Sequence, residues 1–78
     1  MEIKILGTGC AGCKALYSTV QQAVAEEGLQ AEVTKEEDMM KIMEYDVLHL
    51  PAIVIDGKVV STGRRTLGEV KDILKKNR

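Results

Sequence analysis

Two cysteines separated by two residues, Cys10 and Cys13, are the side chains of this sequence whose type and spacing point to chemistry. The residues around them are small, with Gly9 before the pair and Ala11-Gly12 inside it. In a helix, a spacing of three residues places two side chains on one face, about one turn apart. Two thiols in that position can exchange electrons with a disulfide or bind a soft metal ion.

The pair opens a predicted helix over residues 10–27, where apolar residues recur at three- and four-residue steps. Cys10 then lies in the first turn. Unpaired backbone N–H groups and the helix dipole favour a thiolate there and lower its pKa below the ordinary ~8.5. Cys13 lies one turn further in and is expected to be more buried. This asymmetry favours attack on a disulfide by Cys10, with Cys13 resolving the mixed disulfide that results.

The single proline, Pro51, precedes a short apolar run, Ala52–Ile55, that is typical of a central strand. A cis bond at Pro51 would turn the chain and leave the backbone of Leu50 facing outward. Exposed extended backbone beside a dithiol can pair with an extended peptide. The alternative is a trans proline that simply ends the preceding helix.

Both features fall within a predicted element order of β-α-β-α-β-β-α. Alternating apolar residues predict strands over 1–6 and 29–34, and Thr34 or Asp38 could cap a short second helix. Helical segments connect the first three strands, which are therefore expected to be parallel.

The last third of the chain carries two strong local signals. Asp56-Gly57 predicts a two-residue hairpin turn, and Thr66 with Glu69 predicts a capping box before a final helix. The fold class is therefore α/β, a minimal domain over 1–78 with a four-stranded mixed sheet flanked by helices.

Composition limits the classes of function. The chain has 78 residues, 45% hydrophobic and 29% charged, with a net charge of −1. That balance gives no reason to expect nucleic acid or a membrane as partner, and no apolar run approaches the ~20 residues of a membrane span. The first residues are too polar for a signal peptide, so a cytoplasmic location is expected. Cysteines in that reducing compartment rarely form structural disulfides.

Other candidate residues are given structural roles. Met39, Met40 and Met43 have a spacing that predicts core packing on the short second helix. His49, the only histidine, is interpreted as a loop residue, although it could serve as a proton shuttle or a further metal ligand.

The segments 7–14 and 50–63, GTGCAGCK and LPAIVIDGKVVSTG, resemble the small thioredoxin-like proteins called redox-active disulfide protein 2. These are glutaredoxin-sized versions of the thioredoxin fold, and the resemblance spans essentially the whole chain. Its most specific part is the combination of a glycine-flanked dithiol with a proline-led hairpin.

The resemblance implies a role for each matching residue. Cys10 would be the nucleophile and Cys13 the resolving thiol, with Pro51 as a cis-proline packed against their disulfide. Leu50 would offer its backbone to substrate, and Gly63 would line the other side of the groove. No cofactor and no bound metal are implied. The substrate-binding residues are then Gly9, Ala11, Leu50, Pro51 and Gly63.

Three functions from different classes follow. The first is a monomeric thiol–disulfide oxidoreductase that acts on protein disulfides and is recharged by an upstream reductase. The second is a copper or zinc carrier that uses the same two cysteines, although small carriers of that kind end in a strand and this chain ends in a helix. The third is a redox-sensing adaptor whose disulfide controls partner binding.

Overall fold

The structure, a computed structural model, describes residues 1–77; Arg78 lies outside the described residues. Its elements follow the predicted order β-α-β-α-β-β-α. Their bounds are β1 Glu2–Leu6, α1 Ala11–Glu26, β2 Glu32–Glu36, α2 Met39–Met43, β3 Ala52–Ile55, β4 Lys58–Thr62 and α3 Leu67–Asn77.

The four strands form one mixed sheet in the order β2-β1-β3-β4. β2 is parallel to β1, as expected for strands joined by the long helix α1, while β3 and β4 form the predicted antiparallel hairpin. The expectation that β3 is also parallel to β1 is wrong, because the two strands are antiparallel. α2 has only five residues, about 7.5 Å of helix, whereas a five-residue strand measures about 16 Å. The chain therefore re-enters the sheet from the end at which β2 left it.

The core lies on both faces of the sheet. α1 and α3 cover one face, where Ile3 and Ile5 of β1 contact Val20 and Leu74. On the opposite face α2 contributes Ile42, which packs against a smaller group, Leu6, Ala52 and Val54. The fully apolar β3 is buried along its whole length because helices cover the sheet on both sides.

Local signals place the turns and caps. Asp56 and Gly57 both have positive φ, 49° and 83°, as a tight hairpin turn requires.

The second strand begins later than predicted. Pairing of β2 with β1 starts at Glu32 and not at the first residue of the predicted range 29–34, because Leu29 and Ala31 pack on the core before the pairing begins.

The predicted core role of the α2 methionines is also wrong. Met39, Met40 and Met43 are 48%, 75% and 63% exposed, and only Ile42 of this helix is buried. Among residues 1–77, no helix is both long and apolar enough to cross a bilayer.

Candidate functional site

Four loops meet at one end of the sheet. β1 ends at Leu6, which is paired with Glu36 of β2 and with Ala52 of β3, and Ala52 is paired in turn with Thr62 of β4. The residues that follow β1, β2 and β4 and those that precede β3 are therefore neighbours. The loop before the dithiol, the start of α2, the Leu50–Pro51 segment and Gly63 all lie at this edge.

The dithiol lies at the start of α1. Cys10 is the N-cap residue, with extended backbone (φ −67°, ψ 163°), and its sulfur accepts the Cys13 backbone N–H at 3.1 Å. A disulfide joins Cys10 to Cys13, with the two Cα atoms 5.0 Å apart. Cys10 is exposed, whereas Cys13 is only 6% exposed. The predicted contrast between an accessible and a buried sulfur is therefore present.

Gly7 makes room for the buried cysteine. A Cβ atom placed on Gly7 would lie 2.8 Å from Cys13 Cβ and closer still to its sulfur. Gly7 is held in this position by its N–H, which donates to the Glu36 carbonyl at 3.0 Å. Only glycine fits here without displacing Cys13. This requirement at position 7 was not predicted from the sequence.

A small cavity of about 10 Å³, roughly the volume needed for one water molecule, adjoins Cys13. Charged side chains from two directions line it, Lys14 from α1 and both Lys35 and Glu37 from the end of β2. Lys35 is also placed by Tyr17, with its Nζ 4.8 Å from the ring centroid. Sequence reasoning missed Lys35 and Glu37 as neighbours of the dithiol, although parallel pairing of β1 and β2 places the residues after β2 at this edge.

The Leu50–Pro51 segment borders the same edge. The peptide bond between the two residues is cis. The Pro51 carbonyl accepts the N–H of Gly63 at 2.7 Å, so the predicted groove residues Pro51 and Gly63 are in direct contact. Within residues 1–77, Leu50 makes no backbone hydrogen bond, so its amide and carbonyl have no backbone partner.

The remaining predicted residues flank the dithiol. Gly9 is half-buried with φ 86°, and Ala11 is exposed as the first residue of α1. Arg64 lies against the other side of the pair, with its Cδ 3.5 Å from a Cβ placed on Gly12.

A metal site of three or more ligands would need metal-binding side chains arranged together among the described residues. No group of three or more His, Cys, Asp and Glu side chains within residues 1–77 is arranged to hold a metal ion. His49 is an exposed residue of the segment that leads to Pro51.

Comparisons with known proteins agree with this arrangement. The model of the family described as "Thioredoxin domain" matches residues 1–75. The thioredoxin of Methanothermobacter thermautotrophicus is 40% identical over 75 residues, covering 95% of this chain and 97% of the relative. The thioredoxin of Methanocaldococcus jannaschii is 38% identical over 74 residues, covering 94% of this chain and 85% of the relative.

Solved structures support the fold. Thioredoxin 1 from Thermosipho africanus superposes with a TM-score of 0.67 over 99% of this chain and 93% of its own, at 18% identity. The family match, the two relatives and the Cys10–Cys13 disulfide lead to one conclusion: the chain belongs to the thioredoxin-domain family and is a thiol–disulfide oxidoreductase.

Proposed function

We propose that this protein reduces or isomerises disulfides of other proteins, with Cys10 as the nucleophile and Cys13 as the resolving thiol. The observation that carries the proposal is the unequal exposure of two sulfurs that are close enough to bond. A partner's disulfide can reach the exposed Cys10, whereas Cys13, at 6% exposure, is accessible chiefly from Cys10 itself.

The exchange takes two displacements. The Cys10 thiolate attacks one sulfur of the substrate disulfide, that S–S bond breaks, and the departing substrate thiolate takes up a proton. Cys13 then loses its proton and attacks the Cys10 sulfur of the mixed disulfide, which releases the second substrate thiol. The substrate has then gained two electrons from the dithiol and two protons, one from solvent and one from Cys13, and the Cys10–Cys13 disulfide is left.

The local structure supports the first displacement. The N–H of Cys13 donates to Cys10 Sγ, and an amide donor at a helix start favours the thiolate over the thiol. Lys14 adds positive charge on the neighbouring residue.

Substrate binding is assigned to the backbone at the edge of the sheet. An extended substrate segment would pair with the open amide and carbonyl of Leu50, beside Pro51 and Gly63. Gly9 and Ala11 would form the adjoining floor, where small side chains allow a close approach. We further propose that the protein is a cytoplasmic monomer and that a separate reductase returns the disulfide to the dithiol.

The test uses insulin as a disulfide substrate and dithiothreitol as the reductant. Wild-type protein is expected to accelerate reduction, and Cys10→Ser to abolish the acceleration. In a second reaction, from which dithiothreitol has been removed, reduced Cys13→Ser is expected to accumulate a mixed disulfide between Cys10 and insulin that mass spectrometry detects. Unchanged reductase activity in Cys10→Ser would refute the assignment. Tight retention of Cu(I) or Zn²⁺ by wild-type protein with no exchange would favour the carrier function instead.

A further inference from the structure

Exposed large hydrophobic side chains occur in one segment only of the part of the chain that the structure describes. They are Met39, Met40, Met43 and Leu48, with exposures of 48%, 75%, 63% and 91%. Scattered exposed apolar residues need no explanation, but a continuous patch marks an interaction site. We name these four residues the methionine surface.

The three methionines share one side of α2. At about 100° per residue, Met39 and Met43 lie about 40° apart and Met40 about 60° beyond Met43. Ile42 projects from another side of the helix and packs into the core against Leu6 and Val54. The methionine side chains therefore form a single apolar face that the rest of residues 1–77 leaves largely exposed.

The segments that precede and follow α2 both lead to the dithiol site. Just before α2, the Glu37 carboxylate lies 3.2 Å from a Cβ placed on Gly9, the residue that precedes Cys10. After α2, Leu48 leads within two residues to Leu50, whose backbone is open to substrate. A protein bound at Cys10 and Leu50 would therefore extend over the methionine surface.

The sign of the prevailing charge differs between the two sides of the dithiol. Residues 37–48, which carry the methionine surface, include four exposed carboxylates and one lysine: Glu37, Asp38, Glu44, Asp46 and Lys41. Lys4 lies beside Lys41 and Glu44, and Lys14 and Lys35 line the cavity beside Glu37. On the other side, Arg64 lies against Gly12, and Arg65 follows it. Glu44, the C-cap residue of α2, has helical backbone and falls about 40° beyond Met40, so negative charge borders the apolar face directly.

We propose that the methionine surface is the docking face for partner proteins that present apolar side chains flanked by lysine or arginine next to the disulfide they exchange. The proposal rests on the proposed function of the dithiol. Methionine is flexible and polarisable, so this surface can fit partners of different shape, while the carboxylates select their charge. Partners with acidic flanks are repelled on the α2 side.

The experiment compares the reduction of three disulfides by the reduced protein. Two are cystine peptides that carry leucine residues next to the disulfide. The two peptides are identical except that lysine flanks the leucines in one and glutamate flanks them in the other. The third is bis(2-hydroxyethyl) disulfide, which is neutral and too small to reach the methionine surface. Wild-type protein is expected to reduce the lysine peptide about tenfold faster than the glutamate peptide at low salt, and the preference should fade as salt screens the charges.

Two variants separate the apolar and the charged contributions. The triple change of Met39, Met40 and Met43 to glutamine keeps good helix formers on an exposed face. It should slow reduction of the lysine peptide about tenfold. E44Q/D46N should remove most of the charge preference, while E32Q/D72N, which removes two exposed carboxylates elsewhere, should keep it.

The outcomes are distinct. All variants should reduce bis(2-hydroxyethyl) disulfide at the wild-type rate. A triple variant that reduces the lysine peptide at that rate would overturn the docking proposal, as would equal rates of wild-type protein on the two peptides. A wild-type dimer that the triple variant abolishes would assign the surface to a second copy of this chain. Failure of wild-type protein on all three disulfides would overturn the proposed function itself.

Discussion

Replacing Gly7 by alanine should destabilise the protein by crowding the buried cysteine. The added Cβ would lie 2.8 Å from Cys13 Cβ, about 0.7 Å short of the ~3.5 Å at which carbon atoms attract. Gly7 is buried and hydrogen-bonded to the end of β2, so it has little freedom to move away. Overpacking of this kind costs about 1–3 kcal/mol.

The assay is urea and thermal unfolding of the oxidised protein, so that wild type and variant carry the same disulfide. Each kcal/mol lost should lower Tm by about 4–8 °C in a domain of this size. Gly68→Ala is the matched control, because Gly68 lies within α3 and a Cβ there would meet nothing within 4 Å. Alanine should stabilise that position by about 0.5–1 kcal/mol.

The same substitution is thus expected to have opposite signs at the two positions. A Gly7→Ala protein as stable as wild type, with Gly68→Ala stabilised as expected, would refute the close packing of Gly7 on Cys13.

Three further predictions concern the elements that support the site. Thr66→Ala should lower the free energy of unfolding in urea by about 1 kcal/mol, because the Thr66 hydroxyl accepts the Glu69 N–H at the start of α3. Gly57→Ala should cost more than about 1 kcal/mol in the same assay, since φ is 83° there. The Lys71 ammonium holds the pKa of Glu26 below its usual 4.5, so the ion pair stabilises the protein above that pH and its contribution disappears as the pH falls further. The pKa of Lys71 is raised above 10.5 by Glu26, so the contribution is also lost as the pH rises beyond that value. Lys71→Gln should therefore show a shallower loss of Tm at both pH extremes than wild type.

Short-range features of this fold could be predicted from the sequence because the residues that form them are neighbours. The capping box forms as expected, with the Thr66 N–H donating to Glu69 Oε1 at 2.9 Å. The cysteine that opens α1 caps it through its own sulfur. Such contacts depend on sequence spacing alone.

Long-range features could not be predicted in the same way. The direction of β3 depends on whether the connection from β2 crosses the sheet, and α2 is too short to do so. The exposure of the methionines depends on which side of α2 meets the sheet, and only Ile42 does. A five-residue helix has too few turns for the spacing of its apolar residues to show which side is buried.

The neighbours of Cys13 depend on topology as well. Lys35 and Glu37 are more than twenty residues away in sequence and reach the cavity because β2 lies beside β1. Gly7 is nearer in sequence, but its close packing on Cys13 depends on how α1 folds back over β1.

The central claim is that Cys10 is the accessible nucleophile and Cys13 the buried resolving thiol. Its most direct test is the pH dependence of alkylation at each cysteine separately, in reduced, metal-free protein, read by mass spectrometry. Cys10 is expected to react far faster than Cys13, because the Cys13 N–H and the start of α1 lower the pKa of the Cys10 thiol below its ordinary value. Equal reactivity of the two thiols, each with the ordinary thiol pKa of ~8.5, would contradict this assignment of roles.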